Sequence, residues 1–241
     1  MTLLERGTLQ NVQKRMEKMG MRKGFTCLLY GSPGTGKTET VYQLARQTGH
    51  DIWCVNVAEI KSMWVGESEK NIQELFDGYR NFMAQREEIP ILLFNEADSI
   101  IGIRQKGTLY SADKMENSLQ NIILQEMEKL EGVMIATTNL TQNLDPAFER
   151  RFLFKIEFDK PCVAVKEAIW HSMIPDLLPS SIKALAKAYD FSGGQIENIS
   201  RKRLVDYIIR GRKPSLSQIH EYCKQELIHQ TAPRQRIGFH R

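Results

Sequence analysis

One eight-residue stretch, Gly31-Ser32-Pro33-Gly34-Thr35-Gly36-Lys37-Thr38, limits what this chain can fold into more than any other. It satisfies the pattern G-x-x-x-x-G-K-[ST] at every fixed position. That pattern has chemical meaning only between a buried strand and a helix, and the flanks supply both. Phe-Thr-Cys-Leu-Leu-Tyr at 25–30 reads as a buried strand, and residues 39–47, free of glycine and proline, read as a helix. Gly31, Gly34 and Gly36 let the backbone curl until its N–H groups converge on phosphate oxygens. The first helical turn, which includes Glu39, adds free N–H groups and a positive dipole end. Lys37 offers a point charge for the outer phosphates, and the Thr38 hydroxyl is placed to bind Mg2+.

The strand and helix alternation continues downstream. Residues 52–57, 90–94, 133–137 and 152–158 read as further strands. Helices are expected over 2–19 (interrupted or begun near Gly7), 69–85 and about 112–130, with a long loop before the last of these. Strands that are nearly all apolar and alternate with helices indicate a parallel sheet with helices on both faces. Asp159-Lys160-Pro161 breaks the pattern. Beyond it only helices are legible, at about 163–173, 181–189, 195–209 and 216–230. The expected organisation is an α/β nucleotide-binding domain over 1–159, a small α-helical lid over 160–230 and a loose tail over 231–241.

Composition excludes several classes. The net charge of +4 is too mild to argue for a nucleic-acid partner. No apolar run approaches the ~20 residues of a membrane span, and residues 1–19 carry charges throughout, unlike a signal peptide. Cys27, Cys54, Cys162 and Cys223 are scattered, which fits reduced thiols in a cytoplasmic protein better than a disulfide or zinc framework.

Leu92-Leu93-Phe94-Asn95-Glu96 is an apolar strand ending in polar residues, and the C-terminal ends of parallel strands are where such sheets place a ligand. Glu96 is the candidate base that orients an attacking water, with Asp98 next in line. With these motifs the chain resembles the AAA+ ATPases, specifically their protein-remodelling branch, over about residues 24–203. The resemblance also rests on Ala136-Thr137-Thr138-Asn139, on Asn143 through Phe152, on Lys61 through Lys70 and on Phe191 through Asn198.

The resemblance implies ATP and Mg2+ as cofactors and a homo-oligomeric ring, a hexamer in form, acting on a protein substrate or through an adaptor. Asn139 would hold the attacking water or the γ-phosphate, since an amide donates and accepts without titrating. Arg150 and Arg151 would be arginine fingers reaching the neighbouring subunit's ATP. Met63, Trp64, Val65 and Gly66 would form a pore loop gripping an extended polypeptide, a task that suits a large flat apolar side chain. One departure stands out: Asn95 occupies a position where the family has an Asp that supports Mg2+ through water. Gly194 stands where many AAA+ proteins have a sensor arginine, a difference that the protein-remodelling branch shares. Asn95 favours one alternative, a nucleotide-gated scaffold with little hydrolysis. A second alternative, a nucleic-acid machine of the same superfamily, would need a basic groove or an added module, and neither is visible. No H-E-x-x-H zinc motif is present, and no substrate-recruiting domain is recognisable, so the chain fits part of a longer protein or one that relies on a partner.

Overall fold

The computed structural model describes residues 4–5, 7–56, 68–102 and 111–227, with the side chains at 56, 68–69 and 111–116 outside that description. Contacts divide the chain into two units: residues 1–32 with 36–159, and residues 33–35 with 160–241.

The first unit is built on five parallel strands: β1 (Phe25–Gly31), β2 (Ile52–Asn56), β3 (Ile91–Asn95), β4 (Val133–Thr138) and β5 (Phe154–Phe158). Their order across the sheet is β2-β3-β4-β1-β5. Side chains alternate across a strand, so consecutive apolar residues feed opposite faces. Leu28, Leu92, Phe94, Met134 and Ala136 pack on one face with Ile72, Phe76 and Tyr79 of α3 (Ser68–Ala84) and Leu119, Ile123 and Leu124 of α5 (Ser111–Lys129). Leu29, Ile91, Leu93, Val133 and Ile135 pack on the other with Leu9 of α1 (Thr8–Lys18) and Val41 and Ala45 of α2 (Lys37–Thr48). All six residues of β4 are buried, as expected of a central strand covered on both sides.

Two sequence expectations need correction here. β5 is not a buried strand: Phe154 and Ile156 are 46% and 48% exposed. It lies at the sheet edge, pairs only with β1, and reaches the core through Phe158. The expected long loop after β3 contains a one-turn helix, α4 (Asp98–Ile101), which buries Ile100 and Ile101. A second short helix, α6 (Pro146–Glu149), follows β4 and is started by Asp145, whose side chain accepts the Ala147 N–H at 2.7 Å. One turn is too short to show a period, so neither helix was legible as such.

The second unit holds α7 (Val163–Met173), α8 (Pro179–Ala188), α9 (Gly193–Arg210) and α10 (Leu216–Glu226). They enclose Trp170, Ile174, Leu185, Phe191, Ile196, Ile199, Ile219 and Cys223. Both α9 and α10 start with a reciprocal capping box, Ser192 with Gln195 and Ser215 with Gln218. Also within this unit, the Gly194 N–H donates to the Gly34 carbonyl at 2.9 Å. A Cβ on Gly194 would stand 3.2 Å from Gly34 Cα, so a small residue is needed there.

Candidate active site

The parallel register brings the C-terminal ends of β1, β3 and β4 to one edge of the first unit. Gly31 closes β1 with φ 137°, and an added Cβ there would meet the Phe158 carbonyl oxygen at 2.3 Å. Gly36 takes φ 93° as the N-cap of α2 and has no side chain to compete for the first-turn N–H groups. Glu39 sits in that turn and accepts from the Gln43 amide at 2.6 Å. Pro33, Gly34 and Thr35 fall in the second unit.

Lys37 is only 7% exposed. Its ammonium donates to the Gly31 carbonyl (2.9 Å), the Ser32 carbonyl (2.8 Å) and Asn139 Oδ1 (3.0 Å), which matches its three N–H bonds. All three acceptors are neutral. Burial therefore lowers the Lys37 pKa from its ordinary value, with the charge of Asp98 opposing the shift.

Asn95 does more than end β3. Its Oδ1 accepts from the Thr38 hydroxyl at 2.7 Å and from the Thr137 hydroxyl at 3.0 Å. Because Thr38 spends its one O–H on Asn95, its oxygen keeps lone pairs that can serve as a ligand for a hard cation. The same Thr137 oxygen accepts the Glu96 N–H at 3.0 Å. Glu96 stands in the left-handed region at φ 53°, which costs a non-glycine residue ~1–2 kcal/mol. Its side chain is exposed and has no side-chain partner among the described residues. Asp98 Oδ1 accepts both the Thr138 hydroxyl and the Asn139 N–H, the latter at 2.9 Å.

The structure separates the two arginines. Arg151 is tied within its own unit: one guanidinium nitrogen donates to the Ala147 carbonyl at 2.9 Å and another lies 2.7 Å from Glu128. Arg150, at the end of α6, is exposed and has no side-chain partner among the described residues. Met63, Trp64, Val65 and Gly66 lie outside the described residues, as does the 231–241 tail. Motif reading passed over Thr137, and it gave Asp98 only as a reserve base, not as the acceptor that ties the turn after β4. Their partners are about 40 residues away in sequence, and only the adjacency of β3 and β4 brings them together.

A glycine loop feeding a helix, with a buried lysine and a threonine hydroxyl at the ends of parallel strands, defines the class of P-loop nucleotide-binding α/β domains. Residues 27–160 match the ATPase family associated with various cellular activities (AAA), and the chain belongs to that family. It is 31% identical over 205 residues to Protein CdcH of Halobacterium salinarum, covering 81% of this chain and 27% of that protein. It is 31% identical over 202 residues to the ATP-dependent zinc metalloprotease FtsH of Staphylococcus haemolyticus, covering 77% of this chain and 26% of that one. It is 27% identical to the human ATPase family AAA domain-containing protein 2, over 88% of this chain and 16% of that protein. The chain thus spans about a quarter of the length of the first two of these relatives. No described helix is long and apolar enough to cross a membrane.

Proposed function

We propose that this chain is the ATP-hydrolysing module of a homo-oligomeric ring, Mg2+-dependent and hexameric, that remodels or threads a protein substrate. The observation that carries the reading is the convergence of Lys37, Thr38, Asn95 and Asn139 beside the exposed Glu96. In this reading residues 1–159 bind nucleotide and residues 160–230 act as its lid. The phosphate loop, Gly31 through Thr38, cradles the phosphates, and Lys37 exchanges its carbonyl acceptors for their oxygens. Thr38 presents its lone pairs to Mg2+, which when bound would offset charge on the β- and γ-phosphates. Glu96 takes a proton from the attacking water, and the lack of a side-chain partner for it among the described residues supports that role.

Of the two candidate fingers, Arg150, with no side-chain partner among the described residues, suits the role; Arg151 would first have to give up Glu128. Trp64 is assigned to gripping substrate from the sequence match alone. The family match and the likeness to ATP-dependent zinc metalloproteases support the remodelling reading over a nucleic-acid one. A cytoplasmic setting fits four cysteines that form no disulfide among the described residues.

The test is phosphate release from the purified chain, with particle mass followed by light scattering with and without ATP. Turnover should appear with assembly. Glu96→Gln should stop it without weakening ATP binding. Arg150→Ala should stop it in the assembly, and mixing Arg150→Ala with Lys37→Ala should restore part of it through shared sites. Asn95→Asp should lower the Mg2+ concentration needed for half-maximal rate by up to roughly tenfold, since a charged acceptor is stronger than a neutral one by ~1 kcal/mol. An assembled ring that releases no phosphate at saturating Mg2+ would transfer the assignment to a nucleotide-gated scaffold. No recovery in rings shown to be mixed would remove the shared site.

A further inference from the structure

We infer that Asp98 is a positioning residue that fixes Asn139 for sensing the γ-phosphate; the inference rests on the nucleotide-binding reading above. The β1–β4 ladder ends at the pair Tyr30–Thr138, so Asn139 is the first residue beyond the sheet. Nothing in the ladder holds it. Its N–H finds Asp98 Oδ1 at 2.9 Å, a charge-assisted bond of the stronger kind.

The bond belongs to a chain with one consistent direction. The Leu140 N–H donates to Thr138 Oγ1 at 3.0 Å, the Thr138 hydroxyl donates to Asp98, and the Asn139 N–H donates to the same carboxylate oxygen. A carboxylate only accepts, so it forces the Thr138 proton toward itself and leaves the hydroxyl's lone pairs for Leu140. Three consecutive residues, 138 to 140, are thereby locked into one turn.

The anchor is itself rigid. Asp98 begins α4, and the Ala97 N–H just before it donates to the Thr137 carbonyl at 2.8 Å. Ile100 and Ile101 behind it are buried, and the Ile101 carbonyl accepts the Asp145 N–H at 2.9 Å. Held in this way, Asn139 brings its Oδ1 to 3.0 Å from the Lys37 ammonium. Glu96 is two residues from Asp98 in the same segment, so base and sensor are fixed to a common frame. The Asp98 bonds that hold the turn both fall on Oδ1.

The inference is tested at equilibrium, without turnover, on the full chain. Calorimetry with ADP and with a non-hydrolysable β,γ-imido analogue of ATP gives a ratio of dissociation constants that reads γ-phosphate recognition. Asn139→Ala should collapse that ratio. Asp98→Ala should lower it by roughly three- to tenfold, with ADP affinity moved less than about threefold, as loss of one charge-assisted bond implies. The double variant should fall no further than Asn139→Ala alone, because the two act as one unit. Asp98→Asn, which keeps an acceptor, should restore most of the ratio.

A double variant that falls by the product of the singles would overturn the inference. So would Asp98→Asn failing as badly as Asp98→Ala, or ADP affinity falling in parallel with that of the analogue. A parent that binds both nucleotides but releases no phosphate from ATP removes the proposed hydrolysis yet leaves this ratio readable. A parent that binds neither sinks both.

Discussion

The interiors of the two units differ in kind. In the helical unit the core is Trp170, Ile174, Leu185, Phe191, Ile196, Ile199 and Ile219, and the one buried charge among its described residues is Lys166, held by the Tyr189 carbonyl at 3.0 Å and by Asp190. In the sheet unit, polar groups run through the buried layer: Thr26, Lys37, Glu126, Thr137, Thr138 and Asp145 all have little exposure. Several of these cluster at the ends of β1, β3 and β4, where each finds a named partner. A buried polar group without a partner would cost more than an apolar one contributes, so the groups at these strand ends rely on the partners they find. The contrast separates two uses of burial. One unit spends its interior on packing, and the other accepts polar groups where ligand chemistry needs fixed geometry.

Substitutions can break this contrast or sharpen it. The largest effect is expected in the helical core. Trp170 is fully buried, and Trp170→Ala should cost ~3–5 kcal/mol through lost contacts and an unfilled cavity. Hydrogen exchange should show α7 to α10 losing protection while β1, β3 and β4 keep theirs. Equal loss in both would mean that the units do not differ as described. A smaller effect is expected at the α10 cap: Ser215→Ala removes one half of a capping box and should cost ~1 kcal/mol, read in the midpoint of denaturant unfolding of the helical unit. If the midpoint does not move, the capping box contributes nothing to the packing side of the comparison. The smallest change in stability is expected where the function is most affected. Lys37→Met removes a buried ammonium held by neutral acceptors, so the nucleotide-free protein should keep its stability to within about 1 kcal/mol, or gain slightly, while nucleotide binding is lost. A drop as large as that of Trp170→Ala would make Lys37 a structural residue and erase the distinction.

What could be read in the sequence follows from the range of the interactions involved. The phosphate loop and the strand before it are contiguous, so residue types and spacing were enough. The apolar runs of β3 and β4 announced central strands because both their faces are covered. β5 misled because Phe154 and Ile156 have the composition of a buried strand, and only the sheet order places them at an edge. Asn95 was legible as a departure from pattern, but not as the shared acceptor of Thr38 and Thr137, since that needs three separate segments to meet. Arg150 and Arg151 are neighbours of the same type. The difference between them is Glu128, more than 20 residues earlier, which no local pattern announces.

The sheet order also sets a timetable for biosynthesis. β1 pairs with β4 and β5 and with no earlier strand, and Phe25 lies opposite Val133, about 110 residues downstream. During translation, therefore, the apolar β1 segment must wait for β4 before it can take its place in the sheet. At 5–20 residues per second that interval lasts roughly 5–20 s, long compared with the microseconds in which a chain collapses. Throughout it the glycine loop has no fixed strand to hang from, and Lys37 lacks Asn139. The nascent chain is thus unable to organise its nucleotide site until Asn139 has been made, and in that window β1 is an unpaired apolar segment of the kind that chaperones shield.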